Sequence, residues 1–233
     1  MTRCERVVGV IGGMGPEATV EFLHRLVAAT PADDDADHLH IIVDNNPKVP
    51  SRIKALIDGD GTDPTPTLVD MAQKLETAGA DFLAIPCNTA HFYLPAIRQA
   101  VRIPVLDVVD STIKKLRALA TKPSQIGILA SPAVRLVGLF ATRLAGVGYD
   151  VVFPNEEDEA KLFAIIKSVK AGRTGPAQQR DYDAVAQRLI GGGADALLLA
   201  CTELSLLSAP HGHMPIFDTL DMLVEATIEA ARG

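Results

Sequence analysis

Two segments 114 residues apart are near copies of one another: "GADFLAIPCN" (79–88) and "GADALLLACT" (193–202). Gly79, Ala80, Asp81, Leu83 and Cys87 match Gly193, Ala194, Asp195, Leu197 and Cys201 without a gap. Upstream, "VGVIGG" (8–13) resembles "IGILAS" (126–131), and downstream "IPVLDVVD" (103–110) resembles "MPIFDTLD" (214–221). Any one match is an ordinary way to enter a strand. Three matches in the same order describe a chain built from two similar halves.

Each half alternates short apolar runs with helical patterns. "RVVGVIGG", "HLHIIVDN", "DFLAIPC" and "IPVLDVV" read as strands of the first half. "QIGILAS", "YDVVFPN", "DALLLACT" and "MPIFDTL" read as strands of the second. Between them lie amphipathic helices, among them "PEATVEFLHRLVAAT" with Pro16 in its first turn, "RLVGLFATRLAG" and "DSTIKKLRALA". The expected fold is α/β: two similar doubly wound parallel-sheet domains related by a pseudo-two-fold, with the active site in the cleft between them. The expected division is residues 1–101 plus 208–233 for the first domain and 102–207 for the second. Open parallel sheets bind ligands outside the carboxyl ends of their strands, which is where Cys87 and Cys201 fall.

Composition narrows the function. A net charge of −7 argues against a surface that neutralises phosphates, so nucleic acid is not expected. Aromatic residues make up only 4% and there is no Trp, which removes stacking platforms. The apolar run near the start is too short for a signal-peptide core. No run approaches the roughly 20 apolar residues of a membrane span. A soluble, cytoplasmic protein without a membrane association is expected. The three cysteines are odd in number and lack C-x-x-C spacing, so neither a disulfide framework nor a metal site is indicated. Cys4 precedes the first strand, has no matched partner in the repeat and reads as incidental.

Two facing thiols suggest acid–base chemistry. Each matched cysteine ends a strand just before a polar turn, where amides favour a thiolate. Two such groups on opposite faces of one carbon remove a proton from one side and return one to the other, which suits mirror-image substrate and product. Asn88, Thr89 and the turn amides are placed to hold a carboxylate and a developing enediolate charge, with Thr202 as counterpart. Arg52 suits bidentate carboxylate binding or stands as a solvated surface residue. His91 supports Cys87 or simply packs. Glu203 orients a neighbour, repels a second acid, or caps a helix. Gly13, Gly15 and Ala18 formally fit a dinucleotide fingerprint, but a Gly-rich turn approaching a small anion fits better. "PADDDAD" (31–37) lacks the glycine of a calcium loop and reads as solvated.

"GVIGGMGPEAT", "PSR" at 50–52, "PCNTAH" at 86–91 and "ACTEL" at 200–204 resemble the aspartate/glutamate racemase superfamily, on its aspartate racemase branch. The resemblance covers essentially the whole chain. It implies a cofactor-independent amino-acid racemase, a small acidic amino acid as substrate (aspartate first, glutamate next), and a homodimer. It places Cys87 and Cys201 as the catalytic pair. It sets Gly13, Met14, Arg52, Asn88, Thr89 and Thr202 against the substrate. It also implies a carboxylate-binding lysine, matched best by Lys170, with Lys167 as the other candidate. The D-S-G start and the His after the second Cys-Thr that mark glutamate racemases are absent. Rival readings are a maleate isomerase-like or hydantoin-type relative in the same cleft, a dicarboxylate-binding module, and, more distantly, a dinucleotide enzyme.

Overall fold

The computed structural model describes residues 5–210 and 214–233, with Asp58 described by its backbone alone; Cys4 lies outside the described residues. The first sheet contains β1 (Val8–Gly12), β2 (Ile41–Asn45) and β3 (Phe82–Ala84), parallel in the order β2-β1-β3. The second contains β4 (Gln125–Ala130), β5 (Asp150–Val152), β6 (Ala196–Ala200) and β7 (Ile216–Asp218), parallel in the order β5-β4-β6-β7. Helices α1 (Pro16–Ala29), α2 (Thr65–Thr77), α3 (Leu94–Ala100) and α4 (Val108–Arg117) belong to the first half of the chain. Helices α5 (Pro132–Leu136), α6 (Ala141–Ala145), α7 (Glu156–Lys170), α8 (Pro176–Gly191) and α9 (Thr219–Arg232) belong to the second. The fold is α/β with two parallel sheets, as the alternating pattern predicts.

The repeat survives as a repeat of contacts. Gly9 pairs with Leu83 in the first sheet, and Gly127 with Leu197 in the second. Both glycines are required by space. A Cβ on Gly9 would stand 2.6 Å from Leu83 Cδ2 and 2.8 Å from Ala80 Cβ; on Gly127 it would stand 2.9 Å from Leu197 Cδ2 and 3.1 Å from Ala194 Cβ. The Asp of each G-A-D motif faces the start of the central strand. Asp81 accepts a hydrogen bond from Val7 N–H at 2.7 Å. Asp195 accepts from Ser124 N–H, Ser124 Oγ and Gln125 N–H at 2.8, 2.6 and 3.0 Å. Backbone donors at a strand entrance that lack a ladder partner are thereby satisfied.

Where the two halves meet, the repeat becomes reciprocal. Arg25 on α1 pairs with Asp218 and Asp221 at 2.7 and 2.8 Å. Arg143 on α6 pairs with Asp107 at 2.8 Å and with Asp110. Each arginine thus grips the aspartates that begin the other half's closing helix, the pattern of a contact across a two-fold. A shared core lies behind these clamps: Val8, Val10 and Phe22 pack with Ile126, Ile128 and Leu198, and with Val109, Leu116, Leu220 and Leu223 of α4 and α9. The opposite face of the first sheet is covered by α2 and α3, and that of the second by α7 and α8.

Three expectations need correction. The strand expected at 103–109 is reduced to one parallel bridge, Leu83 to Val105. Asp107 accepts from Val109 N–H and Asp110 N–H at 2.9 and 3.3 Å, so helix α4 starts at Val108 rather than after an Asp110-Ser111 cap. The helix expected over 135–146 is broken into α5 and α6. Gly138, at φ 63°, turns the chain between them. Val105 joins the first sheet and β7 the second, while α9 returns to the first half, where Arg6 N–H donates to Ala231 O at 3.0 Å.

Candidate active site

The carboxyl ends of the two sheets open onto one cavity of about 350 Å³. Its wall contains Cys87 and Cys201, together with Gly13, Met14, Arg52, Asn88, Thr89, Lys170, Thr202 and Glu203. One sequence-predicted residue does not line it. His91 lies behind Cys87, with Nδ1 3.0 Å from the Cys87 carbonyl oxygen. A carbonyl only accepts, so Nδ1 carries the hydrogen. Burial holds the ring below its ordinary pKa, hence neutral, while the Cys87 carbonyl and then Asp107 pull the other way.

The glycine-rich turn after β1 comes close because Gly13 takes φ 90° and has no side chain. A Cβ there would stand 2.3 Å from the Asn46 carbonyl carbon. Gly13 N–H donates to Thr19 Oγ1 at 2.9 Å, which ties the turn to α1. Arg52 is anchored within the wall: Nη1 donates to Pro50 O at 3.1 Å and Nη2 to Met14 O at 3.2 Å, while its buried Nε has no partner. Asn88 donates from Nδ2 to Thr219 Oγ1 at 3.0 Å, leaving its buried Oδ1 unpartnered. Both unpartnered atoms belong to residues of the cavity wall.

The two cysteines are almost equally covered, at 7% and 6% exposure, and both begin matching turns. Ala90 N–H donates to Cys87 O and Leu204 N–H to Cys201 O, at 3.2 and 2.9 Å. Their partners differ. Cys201 Sγ donates to Glu203 Oε2 at 3.1 Å, and the other Glu203 oxygen is ion-paired with Lys170. Burial pushes the Cys201 thiol well above its ordinary value, and the Glu203 carboxylate pushes it further; Lys170 only partly opposes them. The expected bias toward a thiolate is thus reversed at Cys201. Only a short 3₁₀ turn follows it (Leu204–Leu206), so there is little helix dipole to offset the adjacent carboxylate.

Lys170, not Lys167, reaches the cavity. Lys167 Nζ lies over the Phe163 ring, 4.0 Å from its centroid. Burial lowers the Lys170 ammonium, but Glu203, and more weakly Cys201 and Cys87, raise it overall, so it stays charged. Ser131 also lines the cavity, with Oγ 3.4 Å from Thr89 Oγ1. It was not anticipated, yet a signal was present: Ser131 is the repeat's counterpart of Gly13. Ile166, Val169 and Leu206 add an apolar wall. Among the described residues, no group of three or more His, Cys, Asp or Glu is arranged to hold a metal, and no helix is long and apolar enough to cross a membrane. "DDDAD" folds as a short capped turn, in which Asp34 N–H donates to Asp37 Oδ2 at 3.0 Å.

A family model described as Asp/Glu/Hydantoin racemase matches residues 11–227. The broad specificity amino-acid racemase RacX of Bacillus subtilis (strain 168) is 30% identical over 230 residues, covering 95% of this chain and 96% of that protein. The aspartate racemase of Picrophilus torridus superposes with a TM-score of 0.83 at 28% identity, over 97% of this chain and 94% of that one. The glutamate racemase isoform RacE1 of Bacillus anthracis shares the fold at a TM-score of 0.69 and 17% identity, over 99% and 84% of the two chains. With the family model spanning nearly its whole length and two matched thiols on one cavity, this chain belongs to the Asp/Glu/hydantoin racemase family.

Proposed function

We propose that the cavity is the active site of a cofactor-independent amino-acid racemase in which Cys87 and Cys201 act as two acid–base groups on opposite faces of the substrate's Cα. The observation that carries this reading is the pair of thiols at matched strand ends, one from each sheet, lining a single cavity. The thiolate of one cysteine takes the α-proton, and the C–H electron pair spreads into the α-carboxylate. The thiol of the other cysteine then delivers its proton to the opposite face. The enediolate charge is the difficult part of the reaction. Turn amides after each cysteine, with Asn88, Thr89 and Thr202, supply donors, and burial strengthens them.

Aspartate is the first substrate expected, because one cation from each half, Arg52 and Lys170, faces the cavity and suits two carboxylates. A broad-specificity racemase is the second reading. The ion pair between Lys170 and Glu203 spends one of those cations, and the apolar wall of Ile166, Val169 and Leu206 accepts uncharged side chains. Incubation with single L-amino acids in deuterated water tests both. Deuterium at Cα alongside loss of optical rotation, for aspartate or for several amino acids, supports racemisation and ranks the substrates. Tight aspartate binding without exchange at Cα would instead favour a dicarboxylate-binding module.

A further inference from the structure

Two residues beyond each cysteine, the halves of the site diverge. Thr89 follows Cys87 and meets Ser131. Glu203 follows Cys201 and turns a carboxylate onto the sulfur itself, with Oε2 3.1 Å away. Glu203 is only 5% exposed, and its second oxygen is engaged by Lys170. An ionised carboxylate only accepts hydrogen bonds. A sulfur at this distance must therefore carry its proton, and a thiolate there would place two negative charges in contact. We propose that Glu203 is a positioning residue that stores the transferable proton on Cys201, so that the resting enzyme meets its substrate with Cys87 as base and Cys201 as acid.

The proposal rests on the two-thiol reading and gives the two otherwise equivalent cysteines different resting roles. In one turnover the Cα–H bond breaks and its proton forms S–H at Cys87. The Cys201 S–H bond breaks and its proton forms the new Cα–H bond on the opposite face. The enzyme is left with a thiol at Cys87 and a thiolate beside Glu203. Water then takes the proton from Cys87 and returns one to Cys201, restoring the resting form. The opposite enantiomer starts from the other proton arrangement, which Glu203 disfavours. The groups that bear on Cys201 are Glu203 in its own turn, Lys170 on α7 and Tyr182 on α8; Cys87 and Arg52 line the same cavity. Lys170 favours the thiolate, but Glu203 occupies its ammonium.

Ultraviolet absorbance of the thiolate during a pH titration tests this without any substrate. In a Cys4→Ala, Cys87→Ala background Cys201 is the only thiol left to titrate, and its signal is read against the same protein with Cys201→Ala added, which carries the tyrosines alone. Adding Glu203→Gln should lower its midpoint by a pH unit or more, about tenfold more thiolate at a fixed pH below the midpoint. Glu203→Asp should restore a high midpoint, and Lys170→Met, which leaves the carboxylate unopposed, should raise it. In the Cys4→Ala, Cys201→Ala background, Glu203→Gln should leave the Cys87 midpoint in place. A Cys201 midpoint that ignores both Glu203→Gln and Lys170→Met, or equal movement of both cysteines, would overturn the proposal. Such a failure leaves the racemase reading intact, whereas absence of Cα exchange with every amino acid removes that reading whatever the titration gives.

Discussion

The two halves keep the same scaffold and change the same few positions. Gly9 and Gly127, Asp81 and Asp195, Asp107 and Asp218, and Arg25 and Arg143 perform the same tasks in both. At the cavity, Asn88-Thr89 faces Thr202-Glu203, and His91 behind one turn is replaced by Ser205 behind the other. His91 meets the Cys87 carbonyl, whereas Ser205 Oγ donates to Asp218 Oδ1 at 2.8 Å. Sheet geometry favours the first set in every copy, because a side chain on Gly9 or Gly127 would press on the neighbouring leucine and alanine. The cavity makes no such demand: the two sides meet different groups of one asymmetric ligand, so their polar residues are free to differ. Duplication of scaffold with divergence of partners yields two thiols in matched positions with unmatched protons.

The largest test of this comparison is chemical. Cys87→Ala and Cys201→Ala are each expected to cut racemisation by roughly 10³-fold, the scale of losing an acid–base group. Chiral chromatography of the product follows the loss. Cys201→Ser is expected to lose racemisation while retaining part of the deuterium exchange at Cα through Cys87. Normal racemisation by both alanine variants would end the idea of a thiol pair.

Next comes the scaffold. Gly9→Ala is expected to cost about 2–3 kcal/mol and Gly127→Ala about 1–2 kcal/mol, because overpacking grows as the contact shortens and the first site is tighter, 2.6 against 2.9 Å. Urea unfolding of the two variants ranks them, and a reversed order would show that the halves relax differently. The clamps give a smaller effect with a pH signature. Burial opposes ionisation of Asp107, but Arg143 outweighs it and holds the carboxyl below its ordinary value. A lowered folded pKa contributes stability that is present above the unfolded value and lost as pH falls through the folded one. Arg143→Gln should therefore cost about 2 kcal/mol near neutrality, the scale of a charged hydrogen-bonded partner, and progressively less in acid. Thermal melts at a series of pH values measure this, and an offset that does not change with pH would count against the ion pair. The smallest effect separates the G-A-D motifs. Asp195→Ala loses three hydrogen bonds at an exposed site and should cost about 1 kcal/mol, Asp81→Ala about half of that.

Much of the site was legible because the repeat is local. Matching "GADFLAIPC" to "GADALLLAC" pairs Cys87 with Cys201 and sets both at strand ends without any knowledge of packing. The same matching carries an unused signal for Ser131, the counterpart of Gly13. It failed at the edges, where Asp107 captured two N–H groups and turned an expected strand into a helix start. Such competition is decided by which hydrogen bonds a neighbouring strand offers, and Val105 finds only one bridge.

Composition and pattern alone determined the α/β class, the two-part organisation and the identity of the two thiols, since these follow from spacing along one chain. Only the tertiary structure decided that Lys170 rather than Lys167 faces the cavity, that Arg52 is braced by the Met14 carbonyl, and that Glu203 accepts a hydrogen bond from the Cys201 thiol. Each of these is a distance of a few ångströms between side chains that differ in burial and helix face. Electrostatics and hydrogen bonding fall off over that range, and no periodicity in the sequence encodes it.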